Sequence, residues 1–358
     1  MRLLRSWRLV PLLLSLALAC FILFDVSMSE EDVASQVTPA IVFHVLRKHI
    51  TSLFVHNNTH SGKTNTETDL ADTVVWTIRM PRVVCGVLIG MLLAMAGVAF
   101  QSFLMNPLAD PYMVGVSAGS ALGSSLVILL GGAGWLAGFG QTLAAFVAGM
   151  LAMLFIAGIA RFGGRISAQT FLLAGFVIGA FVFSLTKLVV ALANRSGDTS
   201  RAAAILSQLL GSLQMVDWRS VQLLIPFGLL GGIMLWTGAR ELNMMAQGEE
   251  SAAHLGVNTE AFKRRIIVAG SLVTAATVAV AGIIGFVGMV VPHIARRLVG
   301  PDHRRLLPTA MLLGGLVLVA SDWLSRVYLR QLEVGVITSL FGAPVFCYLL
   351  RRRLSTRW

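Results

Sequence analysis

An all-α, polytopic membrane fold follows from three features of this sequence: its composition, the spacing of its apolar runs, and the places where its arginines fall. Of the 358 residues, 56% are apolar and only 13% charged, and the mean hydropathy is +0.80. So few charged groups cannot cover a water-soluble core of this size, which excludes a soluble domain. Apolar runs occupy about residues 9–28, 83–104, 113–131, 135–160, 170–193, 221–238, 266–286, 287–298, 306–324 and 334–350. A helix crosses the hydrocarbon core with roughly 20 residues, so about ten transmembrane helices are expected, in one domain over 1–358. The eighth run is too short for a full crossing and is interrupted by Pro292. Such a segment is tolerated at membrane depth only when packed inside protein.

Basic clusters set the orientation. Arg2, Arg5 and Arg8 precede the first run, and Arg161 and Arg165 follow the fourth. Lys263, Arg264 and Arg265 precede the seventh, Arg296, Arg297, Arg304 and Arg305 follow the eighth, and Arg351, Arg352 and Arg353 follow the tenth. Ten passes place every cluster on one side, whereas nine would split the last two sets. The positive-inside rule therefore selects ten, with both termini cytoplasmic. The net charge of +11 and the pI near 10.7 orient the chain in a lipid bilayer and do not point to nucleic acid. The first run, with its arginines and Ala17-Leu18-Ala19-Cys20, has traits of a signal peptide. The leucine usual three residues before a lipoprotein cysteine is missing, so an uncleaved first span is expected.

Residues 29–78 form the long polar stretch outside, with the Asn/Thr/Ser-rich piece from His56 to Thr68 expected as a loop. His44, His49, His56 and His60 crowd it, and imidazole is the commonest metal ligand. Neither cysteine nor clear carboxylate spacing accompanies them, so solvated loop histidines are expected and no metal site. Gly62-Lys63-Thr64 ends like a phosphate-binding loop, but Asn57 stands where the first glycine belongs and no strand precedes it. Cys20, Cys85 and Cys347 lie in apolar runs without ligand spacing and read as packing residues.

Glycines four residues apart (Gly86/Gly90, Gly115/Gly119/Gly123, Gly134/Gly138, Gly175/Gly179, Gly228/Gly232) mark close helix packing in lipid. Gly115-Val116-Ser117-Ala118-Gly119 has the spacing of a nucleophile elbow, which would make Ser117 a hydrolase serine. That chemistry needs a strand before the turn, and here a membrane helix precedes it. A tight turn is the better account. Lys187 and Asp322 lie in or near spans, where charge is costly. Lys187 can snorkel to the interface, and Asp322 stands four residues before Arg326, an ion-pair spacing on one helix face.

Several segments, in order, resemble one known family. Arg79-Met80-Pro81-Arg82 leads an apolar run to Leu104, and Asn106-Pro107-Leu108-Ala109-Asp110-Pro111 then feeds the glycine-rich third run. Gly285-Phe286-Val287-Gly288-Met289-Val290-Val291-Pro292-His293-Ile294-Ala295-Arg296 is followed by Asp302-His303-Arg304, and Gly335 to Phe346 makes the last run. Over about residues 75–350 the chain resembles the FecCD-type permeases, the membrane subunits of ATP-driven importers of iron chelates, cobalamin and haem. The family often has a proline before the last-span glycine, where this chain reads Glu333-Val334-Gly335, and its outer connection is usually shorter.

The resemblance implies a transport subunit with no catalytic, cofactor or metal site of its own, in the cytoplasmic (inner) membrane of a prokaryote. Two copies, a homodimer, would enclose a pathway lined by spans five and ten. Two cytoplasmic ATP-binding subunits would hydrolyse ATP, and an extracytoplasmic substrate-binding protein would dock above. The segment 239–265 joins spans six and seven, and its Gly248, Glu249, Ala252, Leu255 and Gly256 resemble the family's ATPase-coupling loop. Arg79, Arg82 and Arg326 match positions where the family receives acidic residues of the binding protein. An iron(III)-siderophore is the cargo expected first, with cobalamin or haem as alternatives.

Overall fold

The structure is a computed structural model, and it describes residues 9–27, 39–54, 72–131, 139–162, 165–195, 197–329 and 332–355. Every apolar run coincides with a helix. We number these α1 (Leu9–Ser27), α2 (Pro39–Phe54), α3 (Thr73–Phe103), α4 (Val116–Leu129), α5 (Gly140–Ala160), α6 (Ala168–Arg195) and α7 (Thr199–Leu210). There follow α8 (Trp218–Thr237), α9 (Ala239–Met245), α10 (Glu249–His254), α11 (Thr259–Ala281), α12 (Val287–Val299), α13 (His303–Tyr328) and α14 (Val334–Ser355). Seven of them, α1, α3, α5, α6, α8, α11 and α13, are long and apolar enough to cross a membrane, while α4, α12 and α14 carry the shorter apolar runs. A two-residue hairpin pairs Arg161 with Ile166 and Phe162 with Arg165 between α5 and α6.

The centre of the bundle is α3, which packs on α8, α11, α12 and α13. Glycine makes these approaches possible. A Cβ on Gly90 would overlap the Gly314 carbonyl of α13, and one on Gly97 would overlap the Gly288 carbonyl of α12. Backbones that meet this closely gain dispersion contacts along their length, the main source of association where both helices and solvent are apolar.

Three expectations change. Arg79 and Arg82 were placed at a corner where a span begins, but α3 starts earlier, at Thr73, and runs through both. Its first seven residues, Thr73–Arg79, form a π-helix, with Met80 N–H bonded to the Val75 carbonyl five residues back. Pro81 cannot donate and crowds the turn before it, and a wider π turn accommodates that. The polar stretch 29–78 also contains α2, whose Val42 and Val45, three residues apart, are buried beside Val26 and Val75. The piece from His56 to Thr68, Gly62-Lys63-Thr64 included, lies outside the described residues. Finally, α12 continues through Pro292. The carbonyl that Pro292 leaves without its helical donor belongs to Gly288, and it lies against the Gly97 backbone.

The chain between α11 and α12 is the irregular piece inside the bundle. Gly282 has φ of +72° and Phe286 of +68°. Its backbone groups are met from outside the segment, as a break at membrane depth requires. Ser212 N–H donates to the Ala281 carbonyl (2.8 Å), Ile284 N–H to the Tyr112 hydroxyl (3.2 Å), and Phe286 N–H to the Asp110 carboxylate. Asp110 also caps the short 3-10 turn Pro111–Val114 through Tyr112 N–H (2.9 Å).

Candidate partner-docking faces

Side-chain contacts gather the charged residues at two ends of the bundle. At one end, Arg82 of α3 grips Asp322 of α13: Nε donates to both carboxylate oxygens at 3.0 Å and Nη2 donates to Oδ1 at 2.9 Å. Arg326, one turn on from Asp322, donates Nε to its Oδ2 at 3.1 Å and Nη2 to Asp25 of α1. Arg79 Nη1 donates to the Val26 carbonyl at 2.8 Å. The side chains of Arg82, Arg326 and Asp322 are only 10, 8 and 2% exposed. Two arginines and two aspartates thus form a charge-balanced cluster that ties α1, α3 and α13 together. Arg82 and Arg326, expected as outward-facing docking residues, are turned into the protein because two carboxylates lie within reach there.

The same end holds the outer aromatic group. His49 stacks on Trp76 with centroids 4.1 Å apart, and its Nε2 lies 3.2 Å from both oxygens of Asp72. Trp218 Nε1–H donates to the Trp76 carbonyl (2.8 Å). Of the four histidines, His49 is engaged in this stack and His44 is exposed, while His56 and His60 lie outside the described residues. Among the described residues no group of three or more His, Cys, Asp or Glu is placed to hold a metal ion.

At the opposite end, α9 and α10 are two short helices within the segment between spans six and seven. Gly248 has φ of +110° and Gly256 of +86°, backbone shapes that side chains resist. Ala252 is fully buried, while Leu255 is 60% exposed beside Gly256, around which there is open space. Glu249 is not free: Lys263 Nζ lies 2.5 Å from it, 2.9 Å from Glu260 and 3.1 Å from the Ile166 carbonyl. This lysine joins the coupling segment to α11 and to the α5–α6 hairpin.

A second junction was not foreseen. Asn243 of α9 accepts at Oδ1 from His303 N–H (2.8 Å) and pairs there with His303 Nδ1 (2.7 Å), and its amide donates to Asp302 (2.8 Å). The other ring nitrogen of His303 lies 2.5 Å from Ser102 Oγ on α3. Since Oδ1 only accepts, Nδ1 carries a proton, and a neutral ring then accepts from Ser102. The amide bond from Asn243 holds the Asp302 carboxyl below the usual carboxylate range, with help from Arg304 N–H and from Arg305. Asp302-His303-Arg304 is visible as a string in the sequence, but the tie of His303 to Asn243, 60 residues away, carries no periodic signal.

Neither serine arrangement suits hydrolysis. Ser117 Oγ donates to the Tyr112 carbonyl (3.2 Å), and among the described residues no histidine or carboxylate bonds to it. Ser102, His303 and Asn243 have triad-like order, but Ser102 and His303 are buried, at 8 and 3% exposed. Lys187 sits exposed with Nζ 5.2 Å from the centre of the Phe183 ring.

Residues 12–352 match the FecCD transport family. A permease of Bacillus subtilis called the uncharacterized ABC transporter permease protein YvrB is 43% identical over 298 residues, covering 82% of each chain. The cobalamin import system permease protein BtuC of Halobacterium salinarum is 41% identical over 285 residues, 80% of this chain and 75% of its own. The hemin transport system permease protein HmuU of Yersinia pestis is 35% identical over 302 residues, 82% of this chain and 88% of its own. A solved ABC transporter in an inward-facing conformation shares the fold, with a TM-score of 0.77 over 96% of this chain and 99% of its own at 24% identity. With its polytopic helical bundle and a match that runs nearly end to end, the chain belongs to the FecCD transport family and is the membrane-spanning permease subunit of an ABC importer.

Proposed function

We propose that two copies of this chain form a pathway for a bulky metal chelate across the cytoplasmic membrane, with both termini inside. Two separate ATP-binding subunits dock on the α9–α10 face, and a substrate-binding protein docks at the Arg79, Arg82 and Arg326 end. The observation that carries the reading is the coupling element: two short helices, the second bracketed by the positive-φ glycines Gly248 and Gly256, with Leu255 projecting and Ala252 and Lys263 anchoring it. An apolar knob on an anchored pair of helices suits a cleft in a soluble partner. The faces of α6 and α14 that carry Leu173, Phe176, Phe181, Leu340 and Phe341 are exposed in the single chain, which agrees with a second copy and a pathway between them. ATP does its work here by population shift: it favours one of two access states through differential binding to the coupling helices.

Arginines at the far end favour an acidic partner, because guanidinium forks pair carboxylates at two points. An incoming carboxylate competes with Asp322 and Asp25 for them, so docking exchanges internal for external ion pairs. Among cargoes, the relatives named for cobalamin and hemin import favour a tetrapyrrole-derived chelate over the iron(III)-siderophore that the sequence put first. The test is uptake of cobalamin, haem and a ferric siderophore into proteoliposomes holding this chain with its ATPase and binding protein. ATP-dependent uptake of cobalamin or haem is expected. Uptake of the siderophore alone overturns the cargo, and uptake without ATP overturns the mechanism.

A further inference from the structure

Two cavities meet at Trp236: the first lies apart from both proposed docking faces, and the second borders the start of α9. The first is an apolar groove of 420 Å³ between α3, α8 and α13, walled by residues such as Leu88, Met95, Leu224, Ile233 and Met311. This volume lies in the range of ordinary ligand sites. Its sequence cause is the pair Gly228 and Gly232 on α8, which leave one stripe of the helix bare. At Gly228 an added Cβ would crowd Leu92 at 2.7 Å, so that glycine serves packing. At Gly232 the nearest atom would be 3.7 Å away, so that glycine leaves room. Along α8 the groove runs from Leu224 to Trp236, about 18 Å at the helical rise. One leaflet of a bilayer is half of a roughly 30 Å core, so the groove is about one leaflet deep.

Trp236 is 47% exposed at the end of this groove and also lines the second cavity, of 250 Å³. There Arg240 and Arg304 converge with Thr237, His303 and Pro308. Neither guanidinium has an ion-pair partner among the described residues. The nearby Asp302 is engaged by Asn243, by Arg304 N–H (3.1 Å) and by Arg305 (3.7 Å), and it attracts the Arg304 guanidinium without an ion-pair contact. The order of features is therefore an apolar slot, a tryptophan, and two unpaired cations. Tryptophan concentrates at the membrane–water boundary, and basic pockets between helices on the cytoplasmic side bind anionic headgroups.

We infer that this composite site binds one anionic phospholipid. An acyl chain fills the slot, Trp236 marks the boundary, and the phosphate lies between Arg240 and Arg304. A partner helix could fill the slot but would not bring an anion to its end, and a soluble anion would leave the slot empty. The inner leaflet is specified by the orientation proposed above, whereas the site itself is independent of the cargo.

The experiment uses the full chain in phosphatidylcholine vesicles containing a minor fraction of either phosphatidylglycerol or phosphatidylcholine with brominated acyl chains, which quench nearby tryptophan. The Trp236 component is the difference between the wild type and Trp236→Phe. Preference for brominated phosphatidylglycerol is expected at about fivefold per arginine. It should disappear in Arg240→Ala/Arg304→Ala, both exposed positions where folding is undisturbed. Gly232→Leu should remove the quenching itself by filling the slot. Equal quenching by the two lipids in the wild type would mean an ordinary boundary lipid and overturns the site. A preference that survives loss of both arginines, or quenching that survives Gly232→Leu, overturns it as well. If the double variant instead loses its ATPase subunit with lipid preference intact, the arginines belong to that protein interface and the proposal fails.

Discussion

Removing the charge of Asp322 tests the ionic cluster most directly. Asp322→Asn keeps the volume but strips Arg82 of a carboxylate it holds through three hydrogen bonds, and takes one from Arg326. Arg326 keeps Asp25; Arg82 keeps no carboxylate in the cluster. At exposures of 10, 8 and 2%, solvent cannot take over. Breaking one member out of a buried pair costs about 3–5 kcal/mol, mainly as the penalty of an uncompensated charge. At about 1.4 kcal/mol per factor of ten, the ratio of folded to unfolded protein at a fixed denaturing condition should fall by about two to three and a half powers of ten. The pair variant Arg82→Met/Asp322→Leu removes both charges and should recover most of that loss, since apolar replacement of a buried ion pair is near neutral. The assay is SDS-induced unfolding of the purified protein in detergent micelles, followed by circular dichroism. A single variant within about 0.5 kcal/mol of the wild type, the usual size of a surface effect, would show that water reaches the cluster and would refute the reasoning.

At the opposite face, Gly256→Val forces a side chain onto φ of +86° and should leave insertion intact while lowering transport per ATP hydrolysed; unchanged stoichiometry would move the ATPase contact elsewhere. Glu249→Arg should have a similar effect, because it also breaks the bond to Lys263, and rescue by Lys263→Glu would assign the loss to that pair. Arg79→Gln removes a charge without touching Asp322, and binding-protein affinity should fall more at low salt, where screening is slight; equal loss at all ionic strengths would argue against a charge contact. Asp302 has its folded pKa depressed, so its stabilisation is complete above the unfolded aspartate value of about 3.9 and is lost as pH falls through the lower folded value. Thermal midpoints of the wild type should therefore drop at acid pH more steeply than those of Asp302→Asn, and parallel profiles would remove the role given to Asn243.

The spans were legible because hydropathy is a local property: each run from 9–28 to 334–350 is readable within its own window, and each became a helix. Gly248 and Gly256 were legible for the same reason, since a glycine bracket around a helix-length piece is visible in fifteen residues. The Arg326–Asp322 pair was half-legible, its four-residue spacing being a helical signal. Its third member was not, because Arg82 lies 240 residues away and no periodicity connects them. The π turn before Pro81 was hidden too, as Thr73–Arg79 has the composition of any span end. Helix α2 was lost inside a stretch judged by its polar average, although Val42 and Val45 already had helical spacing.

Ser102 and Arg82 lie on the same unbroken α-helical part of α3, twenty residues or about 30 Å apart. One touches the His303–Asn243 junction beneath the coupling helices, and the other anchors the ionic cluster at the far end. A helix this well packed behaves as a strut, so work done at either end is felt at the other. Thermodynamic linkage then makes the effect reciprocal: if a nucleotide-loaded ATPase changes the affinity for a docked binding protein, docking must change the ATPase's affinity by the same factor. One measurement of association, made with and without the other partner, therefore fixes both directions of the exchange.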